Sequence, residues 1–130
     1  MWKETLPENC PPTTATELEQ DVFRILQNEI STENDFTPYV KLYPDNKRYK
    51  NFCKAYAISF YDNIENAKEA YNIALKRGKT IGNYIGQFTL TANDGKSEYT
   101  PSNGHFSTWF YNSWDFNNFN CSFVTSINEN

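Results

Sequence analysis

The sequence is poor in the residues that most often announce a chemistry. Its 130 residues hold one histidine, one methionine, five glycines and three cysteines. A lone histidine cannot complete a Cys2His2 set, and Cys10, Cys53 and Cys121 lack metal-ligand spacing. Zinc held by all three cysteines and His105 would need four distant segments to converge, so no metal is expected. Glycine-rich phosphate loops, GxSxG, HExxH and paired CxxC are all missing. So is any apolar run long enough to span a bilayer. The opening stretch MWKETLPENCPPTT has no hydrophobic signal region. An odd number of well-separated cysteines without such a leader reads as three free thiols in a cytoplasmic protein.

Excess positive charge is lacking too. Net charge is −4, so duplex phosphate is a poor default partner. A local basic strip runs against this trend: Lys47, Arg48, Lys50 and Lys54. Its plain reading is a solvated face.

What is abundant is aromatic: ten Phe, nine Tyr and three Trp, 17% of the chain. Aromatic rings carry much apolar area each, so few Leu and Val are needed to fill a core. A chain of this length is one domain that buries about two-thirds of its unfolded surface. The wealth in Asn, Lys, Ile and Tyr resembles the proteins of low-GC bacteria or their phages.

Residues 1–16 read as an irregular N-terminal arm, because Pro7, Pro11 and Pro12 block a helix. A single domain is expected over 17–130. "VFRIL" predicts a strand covered on both faces over about 20–27, with Arg24 in an apolar element. Ser31 or Thr32 can cap a short helix with Asn34 and Asp35 in its first turn. Pro38 and Pro44 restrict the following stretch to a short helix and loops, exposed and basic from 44 to 51. A short strand is expected over 56–61. Residues 63–77 then predict an amphipathic helix with Ile64, Ala67, Tyr71, Ala74 and Leu75 on one face. Asn63 or Asp62 caps it and Gly78 stops it. Further strands are expected over 80–91, 97–100, 105–111 and 119–127, with a hairpin signal at Asp94-Gly95. The order predicts an α+β fold: a twisted, mainly antiparallel sheet packed on one long helix, with a strand-rich C-terminal half.

The stretch SNGHFSTWFYNSWDF, residues 102–116, holds the only histidine and two tryptophans. Alternation puts Phe106, Thr108 and Phe110 on a core face. It puts His105, Ser107, Trp109 and Tyr111 on an amphipathic face suited to contact with something. Trp109, Tyr111 and Trp114 are therefore the expected interaction residues.

A sparse constellation also stands out. Arg24 lies on the first strand, Ser59 and Tyr61 on a strand running into a helix, and Glu98 and His105 on late strands. This order resembles compact ADP-ribosyltransferase folds and the related RES-type toxins. "VFRIL" resembles their first-strand arginine segment, and "AISFYDNIENAKEAY" their strand-then-helix segment. The resemblance implies NAD as cofactor, bound by Arg24, Tyr61 and Trp109. It implies catalytic roles for Arg24, Ser59, Tyr61 and His105, with Glu98 steering the nucleophile. The late segment departs from the family by lacking an E-x-E signature.

Three functions follow in order. The first is a binding module acting by protein–protein interaction, like immunity proteins, antitoxins or inhibitors, with a basic partner suited to the acidic chain. The second is the ADP-ribosyltransferase-like or RES-like enzyme using NAD. The third is single-stranded nucleic-acid binding by aromatic rings beside the basic strip.

Overall fold

The "VFRIL" run forms strand β1, Gln20–Leu26. Five more strands join it: β2 (Ile58–Tyr61), β3 (Tyr84–Leu90), β4 (Gly95–Thr100), β5 (His105–Phe110) and β6 (Phe123–Ser126). They make one six-stranded sheet in the order β4-β5-β2-β1-β3-β6, with every pairing antiparallel. This is a computed structural model, and it describes residues 1–127. Helix α1 is a single turn, Tyr39–Leu42, and α2 spans Ile64–Lys76. The chain is thus a single α+β domain with one main helix.

Strand alternation divides the sheet into two faces. One carries Val22, Leu26, Ile58, Phe60, Phe88, Leu90, Phe106 and Phe110, all buried in one cluster. Phe36, Trp114 and Phe119 close this cluster from outside the strands. Phe36 arrives there on a 3-10 turn, Glu33–Phe36, started by Thr32 and Asp35 in a reciprocal capping box. The opposite face also holds buried residues: Ile85, Ser107 and Trp109. Helix α2 packs against β1 and β2, and its Ala67 and Tyr71 are buried. Asn63 caps it by accepting from the Asn66 N–H at 2.8 Å. Leu75, expected on the buried face, is 44% exposed.

Residues 1–16 dock onto the domain as an irregular arm. Trp2 bridges Tyr111 and Thr16 bridges Ser97, so the arm runs from the end of β5 to the outer edge of β4. Along this path Cys10 forms a disulfide with Cys53, Cα to Cα 5.4 Å. Two of the three expected free thiols are therefore paired, and Cys121 alone is free. The odd count and the 43-residue separation hid the pair, which only the arm's route brings together.

Two local readings also change. Asp94-Gly95 does not turn a hairpin, because β3 and β4 sit far apart in the sheet. The turn instead redirects the chain across the fold, with Asp94 accepting from the Thr91 N–H at 2.8 Å. The true hairpin joins β4 to β5 through residues 101–104. Gly104 there has φ +70°, and a side chain would strike Asp62 and Asn66. The strand expected from 56 begins at Ile58, since Cys53–Tyr56 is a 3-10 turn.

Candidate functional site

Four residues singled out on three strands come close in space. Register pairs Ser59 with Ser107 and Tyr61 with His105 across β2 and β5. Ser59 Oγ and His105 Nε2 lie 2.9 Å apart, and the Tyr61 and His105 rings meet edge to face at 5.3 Å. Arg24 reaches the same strand from β1. There β1 and β2 pair only at Phe23 and Tyr61, and the guanidinium bridges from β1 to the Ser59 carbonyl of β2. Its Nη1 donates to the Ser59 carbonyl at 2.7 Å, and its Nε to the Asp35 carbonyl at 2.9 Å. The same group lies over the Phe36 ring at 5.4 Å.

These contacts decide what Arg24 does. Its donors replace the ladder hydrogen bonds that the splayed strands cannot make, and they anchor the turn that carries Phe36. Burial pulls its pKa down to about 10, against the opposing pull of Asp35, Tyr39 and Tyr61. A cation spent on two carbonyls is poorly placed to hold a diphosphate. Burial, then the charges of Lys54 and Arg24, hold His105 below its ordinary pKa, so the ring is neutral at pH 7. Burial likewise raises the Tyr61 phenol. Glu98 accepts from Thr14 at 2.6 Å and pairs with Lys54 at 3.7 Å.

The tryptophans are elsewhere. Trp109 is 1% exposed and donates its indole N–H to the Cys53 carbonyl at 3.0 Å. Trp114 is 7% exposed and stacks on Phe110 at 4.2 Å. Both are core residues, which removes them from the interaction surface expected of them. The disulfide-linked arm and the Cys53–Tyr56 turn lie over the β5 face that was expected to be open. Tyr111 is half-buried, and its hydroxyl donates to Glu17 at 2.6 Å. Burial and then Glu17 push that phenol up to about 12.

The exposed aromatic surface lies instead on the segment that connects β1 to β2. Tyr39, Tyr43 and Phe52 are each more than half exposed. Tyr39, Tyr43 and Tyr49 form a three-ring cluster with centroids 5.9–6.2 Å apart. Lys41, Lys47, Arg48, Lys50 and Lys54 lie in the same segment with one carboxylate, Asp45. It therefore carries +4 within a chain of −4, leaving −8 on the rest. Lys41 pairs with Glu4 at 3.0 Å. Lys47, Arg48 and Lys50 have no ion pair among the described residues. A groove of about 410 Å³ opens there, lined by Arg48, Tyr49, Asn51 and Phe52.

Sequence reasoning found the basic strip but not the rings beside it. The signal was available: aromatic residues at 39, 43, 49 and 52 fit neither a strand nor a sustained helix period. Comparison with known proteins found no match: no family model, no curated protein and no solved structure is similar to the chain.

Proposed function

We propose that the chain is a binding module whose working surface is the segment 39–54 and whose partner is a protein with an acidic face. The observation that carries this reading is the ring cluster of Tyr39, Tyr43 and half-buried Tyr49, with exposed Phe52 in the same segment, beside Lys47, Arg48 and Lys50, which have no ion pair among the described residues. Tyrosine and arginine are the residues that most often dominate interface energetics. The local +4 charge steers an acidic partner rather than the basic one expected from the net charge.

The NAD-enzyme reading has the four residues Arg24, Ser59, Tyr61 and His105 in contact in its favour. Against it, Arg24 is engaged by backbone carbonyls, Trp109 is buried away from the group, and Glu98 is held by Thr14 and Lys54. The grooves of about 390–540 Å³ are lined by other residues, whereas substrate sites are concave.

No helix among the described residues is long and apolar enough to cross a membrane. The Cys10–Cys53 disulfide favours an oxidising compartment over the cytoplasm expected from free thiols.

An NMR titration tests the surface. The probe is a ten-residue peptide of Glu, Asp and Gly, added to the isotope-labelled protein at low salt. Shift changes confined to 39–54, weakened by salt and lost in Lys47→Glu/Arg48→Glu, are expected. Changes elsewhere, or none, would sink the reading.

A further inference from the structure

An exposed phenylalanine on a loose loop needs no explanation. Phe52 is different, because the backbone around it is pinned on both sides. Its N–H donates to the Tyr49 carbonyl at 3.2 Å. The Tyr56 hydroxyl donates to the Lys50 carbonyl at 2.8 Å. The next residue, Cys53, is tied to Cys10, and its carbonyl accepts the Trp109 indole N–H. Ala55, two residues further on, is 2% exposed. Two 3-10 turns, Tyr49–Asn51 and Cys53–Tyr56, meet at Phe52 and hold its ring out at 53% exposure. A ring displayed from so fixed a backbone loses little conformational freedom on binding, which is what preorganisation supplies.

The groove beside it has a defined chemistry. Tyr49 and Phe52 provide two aromatic walls, Arg48 a cation, and Asn51 a donor and an acceptor. Its volume of about 410 Å³ lies at the lower end of small-ligand sites and has room for one aromatic ring. Anchors in protein interfaces are single aromatic side chains seated in such pockets and paired with aromatic or Arg partners. Lys47 and Lys50 flank the groove in sequence, and no carboxylate follows Asp45 before Lys54.

From these features we infer that the Arg48–Phe52 groove receives one aromatic side chain of the partner, from a segment with carboxylates on either side of that anchor. The inference rests on the acidic-partner reading above and adds the anchor to it. The ring lies against Tyr49 and Phe52, with Arg48 over its face. The flanking carboxylates meet Lys47 and Lys50. Charge sets the encounter, and the anchor sets the lifetime of the complex.

The test uses two labelled ten-residue acidic peptides, identical except for Trp or Gly at the centre, with fluorescence anisotropy as the readout. The Trp peptide is expected to bind at least tenfold more tightly. Phe52→Ser and Tyr49→Ser should each abolish that gain, leaving the weak binding of the Gly peptide. Phe52→Tyr should keep the gain, and circular dichroism melts confirm that each variant is folded. Equal binding of the two peptides overturns the anchor while the acidic-partner reading survives. Binding of neither overturns both. A ten-residue oligothymidylate that binds more tightly than both peptides, and loses this in Phe52→Ser, replaces the protein partner with single-stranded nucleic acid.

Discussion

Phe36 and Tyr39 are three residues apart and belong to two different aromatic collections. Phe36 is 1% exposed and meets Phe60, Phe88, Phe110, Trp114, Phe116 and Phe119 within 6.5 Å. Tyr39 is 54% exposed and meets Tyr43 and Tyr49 at similar distances. The inner collection is Phe and Trp, where a hydroxyl would need a buried partner. Three of the four outer rings are Tyr, which can keep its hydroxyl in water while its ring packs on a neighbour. Aromatic content therefore serves two ends here. The core around Phe36 takes rings without hydroxyls, although Trp114 buries an indole N–H with no partner among the described residues, and the surface takes rings that tolerate water until a partner displaces it.

The sharpest way to break this comparison is to truncate one ring from each collection. Phe36→Ala should cost about 3–5 kcal/mol, since it removes the hub of the core. Tyr43→Ala, exposed on the outer cluster, should change stability by about 0.5 kcal/mol or less. Urea denaturation of both variants measures the contrast. Equal losses would mean that the outer rings are structural and would remove the ground for a binding surface.

Next in size is the disulfide, which ties the arm to the turn beside the outer collection. A link across 43 residues stabilises by roughly 4 kcal/mol on the chain-entropy account. Cys10→Ala/Cys53→Ala should lose stability of that order, and reductant should then have no further effect. The arm should also become exchange-labile at Lys3, Thr16 and Asn112, whose amides hold it to the sheet. An unchanged midpoint would show that the arm docks independently of the link.

Arg24 stands at the boundary between the two collections, with its charge over Phe36 and its field on Tyr39. Arg24→Met should cost about 1–3 kcal/mol, because the carbonyls of Asp35 and Ser59 lose their donors. Arg24→Lys should recover only part of this, since an ammonium cannot reproduce the guanidinium fork. Millimolar NAD should leave the thermal midpoint unchanged. A rise of several degrees that vanishes in Arg24→Met would restore the NAD reading.

The α+β class, the strand β1, the helix α2 and its cap could be read from the sequence because each rests on local periodicity or a capping residue. Alternation alone sends Arg24 to the face of Val22 and Leu26 and sends Ser59, Tyr61 and His105 to the other, so the bond from Arg24 to the Ser59 carbonyl, made where β1 and β2 splay, could not be read from the sequence. What escaped was non-local. Trp109 looked like a surface residue because alternation assigns a residue to a face without saying what covers that face, and Trp114 because it follows the strand in a turn. The turn at Cys53 takes the Trp109 indole N–H, and the disulfide that ties this turn to the arm joins residues 43 apart. Tyr39, Tyr43, Tyr49 and Phe52 were missed because irregular segments give no period to read, and only the fold separates a buried Phe36 from an exposed Tyr39.

The smallest effect expected is one of pH, and it probes the Ser59–His105 contact directly. Burial, then Lys54 and Arg24, hold the folded His105 below its ordinary value of 6.5. The unfolded chain therefore takes up its proton first as pH falls. Between 6.5 and the lower folded value the unfolded state binds more protons, so stability declines with falling pH across that window. His105 is the only histidine, so it is the one side chain whose ordinary pKa falls just above this window. Denaturant midpoints of wild type should fall over that range. In His105→Gln, whose amide can still bond Ser59 Oγ, the decline should vanish. Lys54→Ala removes one of the cations and should make the decline shallower. Parallel profiles for wild type and His105→Gln would mean that the imidazole is as well solvated as in the unfolded chain, and that its contact with Ser59 is not held in the folded state.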